Sequence, residues 1–441
     1  MLTLIKKIVK KPIIYVFDVL LRNSHYARDI VEINRNISEL KKIIKEENRA
    51  TSDNVALLIR NKRTTRKRIG FLVHNIEAWS GLEPVYKAMV ADDAFDPIVF
   101  SVNRKYFGDI YRDEGRISEI LTGKGTAHIR LNDIDSFKDL SLIKLQNLDG
   151  LFRQSHWLPD LPPAFQPSYL SFTNLYYLSY EVGVMPLQGF DYRYSEYERL
   201  CSKVFLASKE IKEEMDNLPN ATGVESVVTG HPKVTQLLSS KPFWPIKTHN
   251  KVKIIWSAHH SIGCGWNDFG VFDKVFEDFL DLAMKRKDWD FLFSPHPALI
   301  HRIENLKDLE LKKRIDHFEE EWKKLDNTSI VEMGDYFGPF QASSILIIDG
   351  LSLMIEYQLL GKPVIQLVRS DSSDYTEFGK RVCRGVHRLP YSKVKEIERR
   401  ITTLLQTQDS LMSEQLKLKE ELTRERDPAR RILEEIKEDL L

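Results

Sequence analysis

Apolar and polar positions alternate in a way that changes character along the chain. From residue 69, short apolar runs ending in polar residues are followed by stretches of helical period. "IGFLVHN" predicts a buried strand, "GLEPVYKAMVAD" a helix and "DPIVFSV" the next strand. "LDGLFRQS", "LYYLSY" and "SKVFLAS" continue the strands to about residue 208, "KEIKEEMD" is a helix, and "SVVTGHPKVTQLL" gives strand, loop and helix. The segment "SSKPFWPIKTHN" (239–250) has prolines, polar residues and no period, which predicts a linker. A second alternation follows it. "VKIIWSAHHS" reads as strand and loop, "FDKVFEDFLDLAMKRK" as helix, "WDFLFSPHP" as strand, and "SSILIIDGLSLMIEYQLLGKPVIQLV" as strand, loop, helix and strand. Repeated β-α-β units predict parallel sheets covered by helices on both faces. The fold class is therefore α/β, with two such domains, 69–238 and 239–391, facing a cleft.

Both ends differ from this body. Residues 22–60 predict helix, with Ile37, Leu40, Ile43 and Ile44 at helical spacing in "ISELKKIIKEEN". "RNKRTTRKR" (60–68) is a basic linker that closes an N-terminal extension over 1–68. Residues 392–441 predict charged C-terminal helices, and helices at both ends offer surfaces through which copies of the chain could associate. The first 21 residues set Lys6, Lys7, Lys10 and Lys11 beside Ile5, Ile8, Val9, Ile13 and Ile14. Their apolar run is shorter than the roughly 20 residues that cross a bilayer. It also lacks the small-residue site at which a signal peptide is cut. A helix lying in an anionic headgroup layer fits this pattern, as does one docked on the protein's own body. The first reading predicts a cytoplasmic protein held on the inner face of the membrane.

Composition removes other classes. Lys and Arg number 65 against 64 for Asp and Glu, so no overall field draws nucleic acid. Three cysteines without a CxxC pair give neither a disulfide framework nor a zinc knuckle.

The candidate chemistry lies at strand ends, because ligands of open parallel sheets bind outside their carboxyl ends. In the second half that rule collects His259, His260 and Ser261 after "KIIWSA", His296 after "FLFSP", and Asp349, Gly350 and Ser352 after "ILII". The helix beginning near Ser352 adds free N–H groups suited to an anion, and Glu356 follows one turn later. Ser352 alone would equally serve as a helix cap.

"SAHHS", "FSPHP" and the run from "SSILIIDG" through "GKPVIQL" resemble the CDP-glycerol glycerophosphotransferase family of bacterial wall and capsule polymer synthesis. "YLSYEVGV" (177–184) and "SVVTGHPKVTQL" (226–237) are similar to further segments of it. The resemblance covers about 150–380 and departs in two places. "DGLS" (349–352) keeps only the aspartate and second serine of the family's Asp-Tyr-Ser-Ser pattern, and "RQSHWLP" (153–159) stands where Trp-His-Gly-Thr is expected. An H-P pair with a later serine motif also resembles GT-B transferases that use CMP-linked sugars.

The resemblance implies a GT-B fold of two Rossmann-type domains, with the nucleotide held by the second. It implies a cytidine-nucleotide donor and a glycerol-phosphate or sugar unit passed to a surface polysaccharide or lipid-linked acceptor. A UDP-sugar enzyme or a non-catalytic assembly protein of the same fold are the alternatives. A leaving phosphate gains charge, and prepositioned donors there are commonly the largest catalytic contribution. His259, His260, His296 and Ser352 suit that role without a metal or other cofactor. The acceptor hydroxyl needs a base from the first half, for which His156, His74 and Glu83 are candidates.

Overall fold

The computed structural model describes residues 66–440 apart from 107–109, 184–194, 219–220, 222, 249–251, 263–268, 332–335 and 370–373, together with a helical piece at 33 and 35–42. The amphipathic segment 1–21 and most of the basic linker lie outside the described residues. Of the helix expected over 22–60, the described piece is helical and exposes Ile37 and Leu40. Among the described residues no helix is long and apolar enough to cross a membrane.

Two parallel sheets form the body. The first contains β1 (Lys67–Val73), β2 (Phe95–Val102), β5 (His128–Leu131), β6 (Gly150–Arg153), β7 (Asn174–Leu178), β8 (Lys203–Leu206) and β9 (Ser226–Val228) in the order β5-β2-β1-β6-β7-β8-β9. Between β2 and β5 a small antiparallel hairpin forms from β3 (Arg104–Tyr106) and β4 (Ile110–Arg112). The second sheet contains β10 (Val252–Ala258), β11 (Trp289–Pro295), β12 (Thr328–Ile330), β13 (Ile345–Ile348), β14 (Val364–Val368) and β15 (His387–Pro390), ordered β12-β11-β10-β13-β14-β15. Every pairing within the two sheets is parallel.

The central strands are those whose apolar runs were plain in the sequence. Strands such as Ile345–Ile348 are buried along their whole length, as sheets covered on both faces require. Trp256 of β10 stacks on Phe279 at 4.0 Å and 3°, and lies 4.5 Å from Phe293 of β11. Phe279 belongs to the helix Phe272–Lys285, so this stack fixes that helix to its sheet. One buried apolar cluster runs from Leu72 and Leu151 of the first sheet to Leu346 and Ile348 of the second.

The expected linker is strapped to the second half. Phe243 donates its N–H to the Gly338 carbonyl, and the Trp244 indole N–H reaches Asp290 at 3.0 Å. The C-terminal helix Pro428–Leu440 returns to the first sheet. There Tyr176 donates to Asp439 at 2.6 Å, and Lys203 pairs with Glu435 at 2.8 Å. Ile432 and Ile436 of this helix are buried against the first half. The apolar face of this last helix is thus used within the chain.

Candidate active site

Strand order reverses between β1 and β6 in the first sheet and between β10 and β13 in the second. Such reversals leave a crevice at the carboxyl ends of the strands. A cavity of about 760 Å³ lies over both crevices. From the first half it is lined by His74, Arg104, Lys105, Gln154, Asp160, Tyr180 and Lys233, and from the second by His259, His260, His296, Arg302, Gly350 and Ser352. Its size is that of a site for a small organic ligand. Arg104, Lys105, Lys233 and Arg302 outweigh Glu77 and Asp160 on its walls, which favours an anionic ligand.

The histidine between two prolines has a local explanation. Pro297 opens the helix Pro297–Glu304, where the missing N–H costs nothing and φ is already helical. His296 is the cap of that helix, and its Nδ1 accepts the Ala298 N–H at 3.1 Å. An accepting Nδ1 carries no proton, so in the neutral ring the proton sits on Nε2. His259 is held the same way, its Nδ1 accepting the Ser261 N–H at 3.3 Å with the Ser261 hydroxyl 2.9 Å away. Two imidazoles therefore meet the cavity as neutral Nε2–H donors.

Their neutrality has a physical cause. Burial lowers His259 well below the ordinary value, and His260 and His296 beside it repel a further proton. His260 is pushed down to about 4 by burial and by the charges of Arg302 and Arg104. The His296 ring opens onto the cavity, yet loss of water within the cleft lowers it, as do His260, Arg104 and Arg302. The rings lie close together, with His260 at 4.1 Å from His259 and 4.9 Å from His296 between centroids.

The "DGLS" segment divides between framework and cavity. The Asp349 carboxylate accepts the His259 N–H at 2.6 Å and the Val271 N–H at 2.8 Å, so both oxygens are used. Burial raises this carboxyl to about 7, against the pull of those N–H groups. Asp349 ties the ends of β10 and β13 together and does not line the cavity. Ser261 is likewise structural: its hydroxyl accepts the Gly270 N–H at 2.7 Å. Glu356, expected to face the ligand with Ser352, is buried against Lys233 at 2.8 Å and the Tyr336 hydroxyl. Ser352 is the first helical residue and makes no cap; its hydroxyl donates to Glu181 at 3.2 Å.

The three base candidates separate clearly. Glu83 does not line the cavity and pairs with Lys87 and Lys124, each at 2.8 Å. His156 is buried with Nδ1 on the Tyr177 hydroxyl at 2.8 Å, and burial pushes it to about 4. His74, at the end of β1, lines the cavity. Its backbone N–H is held by the Gln154 side chain at 2.9 Å.

Sequence reasoning missed Arg104, Asp160, Glu181 and Lys233. Arg104 sits on a hairpin whose alternating "RKYFGDIYR" carried a usable turn signal. Glu181 lies within "YLSYEVGV", a segment singled out only for its family resemblance. Burial raises the Glu181 carboxyl, while Tyr180, Ser352 and Lys233 oppose that rise. No arrangement of three or more His, Cys, Asp or Glu suited to a metal occurs among the described residues.

No family profile matches the sequence, and no curated protein is significantly similar to it. Solved structures share its fold. An S. aureus MnaA–UDP complex matches with a TM-score of 0.57 at 15% identity, over 85% of this chain and 98% of that one. UDP-GlcNAc 2-epimerase from Neisseria meningitidis, bound to UDP-GlcNAc, matches with 0.54 at 14% identity, over 84% and 100%. A variant of the wall teichoic acid polymerase TagF matches with 0.55 at 10% identity, over 93% and 98%. The chain therefore has a GT-B-like fold, with two parallel-sheet halves around a shared cleft.

Proposed function

We propose that this protein is a transferase that takes a cytidine-nucleotide-activated donor of the CDP-glycerol kind. It passes a glycerol-phosphate or sugar unit to a hydroxyl of a bacterial surface polysaccharide or its lipid-linked precursor. The observation that carries this reading is the pair of fixed Nε2–H donors, His259 and His296, set beside Arg302 in one cavity. Neutral donors and nearby cations suit a phosphate whose charge grows as the bond to it breaks. The fold shared with a teichoic acid polymerase supports the polymer class, and the motif resemblance supports cytidine.

In this reading His74 is the base. The acceptor oxygen bonds to the phosphorus that carries the glycerol unit. The P–O bond to CMP breaks, CMP leaves with the electron pair, and the acceptor proton passes to His74. For a CMP-sugar the same groups serve attack at the anomeric carbon. The leaving phosphate is met by protein donors, so the reading does not call for a metal.

A second reading, a UDP-sugar enzyme, is favoured by the UDP and UDP-GlcNAc complexes among the structural matches. Thermal shift with CDP-glycerol, CMP, CDP, UDP and UDP-GlcNAc separates the two, because a ligand of the folded state raises its melting temperature. Cytidine nucleotides are expected to protect more than uridine nucleotides, and CDP-glycerol to be hydrolysed or transferred. Protection by UDP alone would favour the second reading. No shift with any nucleotide would favour a non-catalytic assembly role.

A further inference from the structure

We propose that Arg104 is a specificity-determining residue that holds the second phosphate of a nucleoside-diphosphate donor. The inference rests on the reading of the cavity as a nucleotide-donor site. Arg104 stands on β3, the first strand of the small hairpin that follows β2 in the first half. Across that hairpin it lies directly opposite Arg112. Residues paired in this way put their side chains on the same face. The Arg112 guanidinium donates to His301 Nδ1 at 2.7 Å, so this face meets the helix Pro297–Glu304 of the second half. Arg302 of the same helix and His296 at its cap line the cavity together with Arg104. The hairpin thus carries a cation of the first half to the phosphate donors of the second.

This guanidinium keeps its hydrogen-bonding capacity for a ligand. Arginine offers five N–H donors and no acceptor. Among the described residues the Arg104 side chain makes one ion pair, to Asp160 Oδ2 at 3.8 Å, and no hydrogen bond. That separation exceeds hydrogen-bond range, so the pair orients the fork without using its N–H groups. Asp160 itself is held by its own half, where it accepts the Ser155 hydroxyl at 2.8 Å. Lys233, another cation of the first half on the cavity wall, is committed to Glu356 at 2.8 Å.

The position of Arg104 selects the phosphate. Burial lowers His260 and His296, and the charge of Arg104 adds to both shifts, so it acts on the side where the donor phosphates lie. With the nucleoside in the second half, the phosphate next to it meets His259, His296 and Arg302. The following phosphate projects across the cleft, where a planar fork can grip two of its oxygens. A nucleoside monophosphate has no group to place there. The site therefore favours a donor of the CDP-glycerol kind over a CMP-sugar.

Calorimetry with CMP and CDP on the full-length wild type, Arg104→Ala and Arg104→Lys tests the assignment. Wild type is expected to bind CDP more tightly than CMP. Arg104→Ala should lose about 10- to 100-fold in affinity for CDP, the cost of a hydrogen bond to a charged group, while CMP affinity stays nearly unchanged. Arg104→Lys should recover only part of the CDP affinity, because it restores the charge without the fork. The melting temperature of ligand-free Arg104→Ala should match that of the wild type. If Arg104→Ala does not fold, the lysine variant decides, by a loss for CDP that CMP does not share. Equal losses for CMP and CDP, or no loss for either, overturn the proposal. UMP and UDP are run alongside. An Arg104-dependent preference for UDP over UMP, with no cytidine binding, would end the cytidine reading and leave the role of Arg104 standing. A wild type that binds no nucleotide would end both.

Discussion

Ser352 donates its hydroxyl to Glu181 at 3.2 Å, joining two residues 171 positions apart from opposite halves of the molecule. The hydroxyl that the sequence assigned to a ligand phosphate is thus turned toward a carboxylate. A phosphate seated on Ser352 would meet that carboxylate at close range, where two like charges repel by a few kcal/mol at an effective dielectric of about 20. Glu181→Gln is therefore expected to tighten binding of CDP several-fold, measured by calorimetry. Unchanged or weaker affinity would place the phosphate elsewhere.

His296 has two tasks that substitutions can separate. Asparagine is a good helix cap, so His296→Asn should keep the start of Pro297–Glu304 while losing the Nε2–H donor. Turnover is expected to fall about 100-fold or more, the cost of one prepositioned donor, with melting little changed. His296→Ala should lose the same turnover and also about 1 kcal/mol of stability. Steady-state kinetics beside denaturant titration checks both. An asparagine variant as active as the wild type would remove His296 from the site.

Buried neutral histidines make stability depend on acid. Burial holds both His156 and His231 near about 4 in the folded protein, while the unfolded chain binds the proton near about 6.5. Their folded values are depressed, so their contribution is complete above the unfolded value and is lost as pH falls toward the folded one. Each steepens the loss by up to about 1.4 kcal/mol per pH unit in that window. His156→Phe should flatten the curve of unfolding free energy against pH by one such increment. A parallel curve would mean that His156 does not stay neutral.

The last helix is tied down by a buried ion pair. Lys203 and Glu435 are 7% and 6% exposed in their side chains. Glu435 also pairs with Arg431, so removing Lys203 leaves its charge only partly compensated, at a cost of up to about 3 kcal/mol. Lys203→Met should lower stability by that order and open Pro428–Leu440 to limited proteolysis. Lys203→Met with Glu435→Leu should restore much of the loss. Equal losses in the single and double variants would rule out an uncompensated charge as the cause.

The amphipathic residues 1–21 carry the proposal that the protein works at the inner face of the membrane. Deleting them should release the chain from anionic vesicles and leave turnover on a soluble acceptor intact. High salt should weaken the full-length binding without abolishing it, because burial of apolar groups is not screened. Full-length protein that stays in the supernatant with anionic vesicles at low salt would end the membrane proposal.

The alternation of apolar runs with helical periods settled the two parallel sheets, because strands buried on both faces must be apolar throughout. The strand-end rule gathers His259, His260, His296, Gly350 and Ser352, all of which line one cavity. The strands β3, β4, β5, β12 and β15 escaped because they form the small hairpin or lie at sheet edges and carry no continuous apolar run. Tertiary structure alone decided which polar strand-end residues face the ligand and which hold the frame. Asp349 and Ser261 have the right types at the right places, yet their oxygens are used by backbone N–H groups of neighbouring segments. Glu356 has the right helical spacing but meets Lys233, which comes from the other half. Asp160 and His74 come within 3.7 Å only when β1 and β6 lie side by side. A sequence fixes the identity of a side chain and the period of its element. Which partner claims that side chain depends on residues far away in the chain, and only packing brings them together.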